Sequence, residues 1–163
     1  HPHALMTLQN YAGLLLAQES FATAVPLLED CRARFRELRG ADDVETLRAT
    51  VRLGYARTRL GEGPAVAADY ARAMQALRGG TALHAQLGQQ ALPAYVAHLR
   101  ALGPTPPTGL DAAWFASCWQ TVFELATAGQ NEPLRREAAE QLAERSEAAG
   151  NPEEAARWRQ AAR

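Results

Sequence analysis

Cysteine and serine are the residue types of this chain that could act as nucleophiles, but their surroundings argue against it. Nucleophilic catalysis needs a Ser or Cys beside a base that other residues orient. None of the three serines lies in a Gly-x-Ser-x-Gly turn. Cys118 follows Phe115 and precedes Trp119 in an apolar stretch, a setting that raises the pKa of a thiol. We therefore predict an inert, buried thiol at this position.

Histidines are the candidate metal ligands. His1 and His3 could hold a metal ion together, but no second cluster of ligands completes such a site. His84 and His98 lie on one helical segment, and both are predicted to be surface or half-buried residues rather than ligands. The chain is therefore expected to have no catalytic residue, no metal site and no cofactor, and not to be an enzyme.

Carboxylates recur at helical spacing near the C-terminus, at Glu137, Glu140, Glu144 and Glu147. Acid–base catalysis by such a pair would need a cleft with an apolar wall. Because arginines are interleaved with these glutamates, a solvated helix face with local ion pairs is the simpler interpretation.

Three arginines and a tyrosine form the one constellation that favours binding: Arg48, Arg52, Tyr55 and Arg59. On a helix these residues fall within about 60° of one another, as a single stripe. Arg holds carboxylates and phosphates through paired hydrogen bonds, so the stripe suits an acidic peptide. Alternatively, the arginines belong to an ordinary solvated face in a chain that has no lysine.

The elements that position these residues are predicted to be helices throughout. The chain has 35 alanines and no isoleucine, a composition that favours helices over sheets. Apolar residues recur with a period near 3.6, and Gly or Pro interrupts the pattern between segments. We expect about eight helices, with Pro93 either kinking one long helix or starting a new one.

Charge and hydropathy limit the partners of the chain. Its formal net charge of −1 provides no general attraction to nucleic acid or to an anionic membrane. No apolar run is long enough to cross a membrane, and no signal peptide is recognisable. We expect a cytoplasmic protein. The lack of Lys and Ile resembles bacterial codon bias, and the chain starts without Met, so a segment of a larger bacterial protein is expected.

An internal repeat is visible when the first 36 residues are shifted by 42 positions. Small or apolar residues then align with residues of the same kind. A small residue in the first helix of each pair allows the two helices to cross closely. The six matching pairs are Leu5 with Leu47, Tyr11 with Leu53, Ala12 with Gly54, Ala24 with Val66, Leu28 with Tyr70, and Cys31 with Ala73.

These positions resemble the tetratricopeptide repeat, and the start His1-Pro2-His3-Ala4-Leu5 resembles the kinesin-light-chain type, whose period is near 42. The resemblance covers residues 1–78. It departs from the family at Arg57, where a bulky apolar residue is usual. The resemblance implies antiparallel helix hairpins stacked as a right-handed α-solenoid, and a non-catalytic scaffold that binds a partner protein.

The resemblance also implies where a peptide would bind, because the first helix of each repeat lines the concave groove. Kinesin-light-chain repeats bind short acidic peptides through a basic groove. The groove would then contain the arginine stripe, with further walls from the preceding and following repeats. The predicted peptide-binding residues are Asn10, Arg48, Arg52, Tyr55, Arg59, Gln86 and Gln89.

The predicted organisation has three parts. Residues 1–102 are tetratricopeptide-like repeats, 103–109 are a Gly/Pro connector, and 110–163 are further helical repeats or a cap. In the alternative interpretation the chain is a structural or oligomerising segment of a signalling or regulatory protein. Self-association would then use the apolar helix that carries Trp114 and Trp119, although core packing is the default for such a helix.

Overall fold

The computed structural model describes all residues from His1 to Arg163, and it contains eight α-helices and no strand. The prediction of an all-α chain is confirmed. The helices are α1 (Pro2–Ala17), α2 (Phe21–Arg39), α3 (Val44–Arg59), α4 (Gly63–Ala76), α5 (Ala82–Leu102), α6 (Ala112–Ala128), α7 (Glu132–Ala148) and α8 (Pro152–Ala161).

Short polar side chains start several of these helices. The Asp43 carboxylate accepts a hydrogen bond from the Glu45 amide at 3.0 Å and so caps α3. Asp111 accepts in the same way from the Trp114 amide at 2.7 Å. Each bond satisfies an amide that the first turn of a helix leaves without a partner. These caps hold the helix starts, and therefore the registers, in place.

Pro93 lies inside α5, which continues as one helix from Ala82 to Leu102. Of the two arrangements predicted at this proline, a new helix is therefore excluded. Pro93 is exposed. A helix tolerates an interior proline when the carbonyl that loses its amide partner can reach water instead.

The chain forms two compact units, of which the first is His1–Leu87. Within it α1 packs against α2, and α2 against α3. Leu5 near the start of α1 shares a buried cluster with Phe35 near the end of α2. Leu16 near the end of α1 meets Phe21 at the start of α2. The first two helices are therefore antiparallel, as the sequence predicted.

Helices α3 and α4 cross closely at Gly54. A Cβ atom added to Gly54 would lie 2.5 Å from Cδ1 of Tyr70, whose side chain is almost completely buried. Ala12, one repeat earlier, shares a buried cluster with Ala24 of α2. The predicted small residues thus lie where neighbouring helices pack closely.

The second compact unit is Gly88–Arg163, in which α6 packs on α7 and α7 on α8. Its core includes Phe115, Cys118 and Trp119, all buried. Trp119 therefore packs in the core, which was the default interpretation, and Trp114 is half-buried. The predicted connector 103–109 is non-helical and lies within this unit, whereas the boundary between the units falls inside α5.

None of the eight helices combines the length and the apolar character that a membrane span requires.

Candidate functional site

The arginine stripe lies on α3, on the side that approaches α1. Arg52 and Tyr55 are half-buried, whereas the Arg59 side chain is 46% exposed. The opposite side of α3 is committed to the core, where Leu47 and Leu53 are buried. Packing of these apolar residues fixes the rotation of α3 about its axis, and this holds the arginine stripe in one orientation.

Arg48 is paired inside the unit. Its Nε lies 3.2 Å from Oε2 of Glu45, a carboxylate that is nearly buried. The same oxygen accepts a hydrogen bond from Nε2 of Gln9 at 2.6 Å. Glu45 therefore joins α1 to α3, and most of the charge of Arg48 is already balanced by its neighbour.

Arg52 differs from the other two arginines because it forms no ion pair. Its Nη1 donates to the carbonyl oxygen of Gln9 at 2.9 Å, and its guanidinium lies against Gly13. Burial lowers the pKa of Arg52, and the nearby charge of Arg48 lowers it further, while Glu45 opposes the shift. A half-buried cation without a carboxylate partner is an uncommon arrangement, because the charge has lost part of its hydration without full compensation.

Arg59 and Tyr55 form a pair at the other end of the stripe. Nη1 of Arg59 donates to the Tyr55 hydroxyl at 3.2 Å, and Nη2 lies 3.2 Å from Oε1 of Glu19. The guanidinium carbon of Arg59 also lies 4.9 Å from the centre of the Phe21 ring. The Arg59–Glu19 ion pair is exposed on both sides, so its contribution to stability is small and it can exchange partners.

The predicted stripe is therefore only partly available to a ligand. Arg48 and Arg59 each have a carboxylate of the chain itself, Glu45 and Glu19 respectively. Two other carboxylates of this unit, Asp69 and Glu62, pair with Arg32 and Arg57 and not with the stripe. Arg52 remains as the cation whose charge no carboxylate of the chain balances.

The amide side chains predicted to complete the groove are placed differently from one another. Asn10 is exposed on α1, one turn before Gly13, and Gln86 is exposed on α5. Gln89 lies in the second unit, where its Nε2 donates to the Leu125 carbonyl at 2.8 Å. The amide of Gln89 therefore connects α5 to α6, and only its remaining hydrogen-bonding capacity would be left for a peptide.

A basic cleft that the sequence reasoning missed lies between α2 and α4 over the start of α3. It has a volume of about 450 Å³, and Arg32, Arg36 and Arg72 line it. Arg32 pairs with Asp69 at 3.3 Å and Arg72 with Asp42 at 2.8 Å, whereas Arg36 forms no ion pair. Arg32 and Arg36 are one helical turn apart, which was the signal in the sequence, but their distance from Arg72 depends on tertiary packing.

The thiols and the buried histidine are unsuited to chemistry at neutral pH. Burial raises the pKa of the Cys118 thiol to about 11, and it also raises that of Cys31. The prediction that the thiol at position 118 is buried is confirmed. His98 is completely buried, so the prediction of a surface or half-buried side chain is wrong for this residue, and this burial lowers its pKa to about 4.

No group of three or more His, Cys, Asp or Glu side chains is placed to hold a metal ion. Nδ1 of His1 instead accepts a hydrogen bond from the His3 amide at 3.3 Å and caps α1. No protein-family model matches the chain, and the curated proteins contain no similar sequence.

Proposed function

We propose that this protein is a non-catalytic interaction scaffold of the tetratricopeptide type, in which stacked helix hairpins form a right-handed solenoid. Its partner is an acidic peptide segment that lies along the surface formed by α1 and α3. The observation that carries the proposal is the half-buried guanidinium of Arg52, which has no carboxylate partner. A carboxylate supplied by a peptide would provide that missing charge.

The neighbours of Arg52 suit an extended peptide. Gly13 has no side chain, so the Arg52 guanidinium lies directly against the α1 backbone at this point. Asn10 is exposed one turn earlier and can hydrogen-bond to a peptide backbone. A second acidic residue of the peptide could replace Glu19 at Arg59, since exchange between two exposed ion pairs changes the free energy little.

The expected affinity is modest. One ion pair at a half-buried cation, together with one exchanged surface pair, contributes on the order of 1–3 kcal/mol. Micromolar binding corresponds to about 8 kcal/mol, so an apolar side chain of the peptide must provide most of the remainder. Tyr55, half-buried and in edge contact with Phe21, is the apolar surface next to the cations.

Fluorescence anisotropy tests the proposal with a labelled octapeptide that alternates Glu with Ala and carries one central Leu. The same peptide with Gln in place of Glu is the control ligand. We expect the Glu peptide to bind more tightly, and its affinity to fall as salt rises, because partly exposed charges are screened. Arg52→Gln should weaken binding about tenfold, the effect of losing about 1.4 kcal/mol.

Arg34→Gln is the matched control variant, because Arg34 is an exposed arginine of α2 in an ordinary pair with Asp30. It should leave the affinity unchanged. Equal affinity for the Glu and Gln peptides, or equal affinity of Arg52→Gln and the unmodified chain, would refute the proposal. A loss caused by Arg36→Gln but not by Arg52→Gln would move the binding site to the α2–α4 cleft.

The second candidate function is self-association, which one observation favours. Helix α1 contains no acidic or basic residue other than its histidine, and it exposes about half of Tyr11 and of Leu14. The residues 42 positions later, Leu53 and Ala56, are buried in contact with α1. A second copy of the chain could cover the exposed positions without opposing charges. Sedimentation velocity tests this. A dimer of the unmodified chain that becomes a monomer in Tyr11→Glu would support self-association.

A further inference from the structure

A second cation without a carboxylate partner lies in the Gly88–Arg163 unit. The guanidinium carbon of Arg145 lies 4.0 Å from the centre of the Phe115 ring. Its Nη atoms reach the Pro104 carbonyl and Oε1 of Gln141, each at the long distance of 3.5 Å. Its Nε is buried and has no acceptor. Arg145 thus has a hydrogen-bond donor that the chain itself does not use.

A second unused donor lies nearby, on Trp119. The side chain is 2% exposed, and its indole Nε1 has no hydrogen-bond partner. A buried N–H group without an acceptor is unfavourable, so native structures usually supply one. Trp119 and Arg145 line the same cleft, which has a volume of about 310 Å³. That volume is at the lower limit of pockets that hold small ligands.

The charges around this cleft determine which ligand suits it. Arg100 also lines the cleft, but its Nε donates to Glu137 at 2.7 Å, so its charge is balanced. Glu144 places one carboxylate at the rim and forms no ion pair. The cleft therefore offers one unbalanced cation and two donors, with one negative charge at its edge. Burial also lowers the pKa of Arg145, and the nearby Glu144 carboxylate opposes that shift.

We propose that this cleft is a binding site for a carboxylate group, and that binding moves the lining side chains enough to uncover the buried Arg145 Nε–H and Trp119 indole N–H as its hydrogen-bond donors. A carboxylate has two coplanar acceptors, which match two donors on planar groups. A phosphate dianion would be repelled more strongly by Glu144 than a carboxylate monoanion is. The group comes either from a small organic acid or from the C-terminus of a peptide.

Nuclear magnetic resonance tests the proposal on the full ¹⁵N-labelled chain, because the indole and Arg Nε–H groups give separate signals. The probes are sodium acetate and the dipeptide acetyl-Ala-Ala, with acetyl-Ala-Ala-amide and sodium chloride as controls. We expect the Trp119 and Arg145 Nε–H signals to shift together and to saturate with a carboxylate. The signals of Trp114 and Trp158 should move much less. If acetate and the free dipeptide bind equally, the site recognises the carboxylate alone; tighter binding of the dipeptide identifies a peptide terminus.

Variants separate binding from a purely structural role of the arginine. Arg145→Gln should weaken binding at least tenfold, whereas Arg136→Gln, at an exposed arginine of the same helix, should not change it. Glu144→Gln should tighten binding several-fold, because it removes the one negative charge at the rim. This variant tests the proposal even if Arg145→Gln does not fold.

The absence of a saturable shift with either carboxylate at tens of millimolar would overturn the proposal, and Arg145 would then serve only to hold the segment at Pro104. A shift of the same size with sodium chloride, or an affinity unaffected by Glu144→Gln, would overturn it as well.

Discussion

Substitution of Gly54 by alanine tests how closely α3 and α4 pack. The new Cβ would lie 2.5, 2.6 and 2.8 Å from three ring atoms of Tyr70, whereas ordinary contacts of this kind exceed about 3.4 Å. Tyr70 is 1% exposed and cannot rotate into solvent, so the two helices must separate. Such overpacking costs about 1–3 kcal/mol.

Helix propensity acts in the opposite direction, because Ala is favoured over Gly inside a helix by about 1 kcal/mol. The severe overlap with a buried ring places the overpacking cost toward the upper end of its range, so Gly54→Ala should lower the free energy of unfolding by up to about 2 kcal/mol. Gly54→Leu should lower it further. Gly13→Ala is the matched control: its Cβ would meet only the mobile end of Arg52, at 3.1 Å. This control should be neutral or slightly stabilising.

Urea denaturation followed by two probes shows which of the two compact units is destabilised. All three tryptophans lie in the Gly88–Arg163 unit, so their fluorescence reports that unit, whereas far-UV circular dichroism reports all helices. We expect Gly54→Ala to shift the circular dichroism transition to lower urea. When Tyr70→Leu is also present, Gly54→Ala should destabilise the chain much less, because the ring atoms that collide with the new Cβ are gone. Equal stability of Gly54→Ala and Gly13→Ala would refute the close crossing.

Three further predictions concern stability and organisation. Burial holds the pKa of His98 near 4 against 6.5 in the unfolded chain, so protonation favours unfolding as the pH falls below 6.5. Stability should drop by about 2 kcal/mol between pH 7 and pH 5, measured by urea titrations, and His98→Asn should abolish that part of the pH dependence. Asp111→Ala should lower the free energy of unfolding by about 1 kcal/mol, because it removes the cap of α6. The tryptophan fluorescence transition should then occur at lower urea. Limited proteolysis should cut first near Thr105, which is exposed and non-helical; earlier cleavage inside residues 1–78 would contradict this.

Local features of the chain could be predicted because their causes lie within a few residues. The number and type of the helices follow from apolar periodicity and from breaks such as Gly61 and Gly150. The small residue at the α3–α4 crossing was visible as the counterpart of Ala12, 42 positions earlier. The buried, inert thiol of Cys118 followed from the aromatic residues around it.

Tertiary structure alone decided which charged groups meet. The stripe from Arg48 to Arg59 was predictable from helical geometry, but its pairing with Glu45 and Glu19 was not. Ion pairs form over a few ångströms, so they depend on how neighbouring helices are rotated and on which rotamers the packing allows.

The same reason explains why Arg145 looked like one arginine among the charges of a solvated helix. Only the packing of α7 against Phe115 removes it from water, and only the position of Trp119 places a second free donor beside it. Thus the sequence determined the helices and the residues that are buried between them, because periodicity is local. Which cations remain unbalanced was determined by the fold, because that balance depends on contacts between residues far apart in the chain.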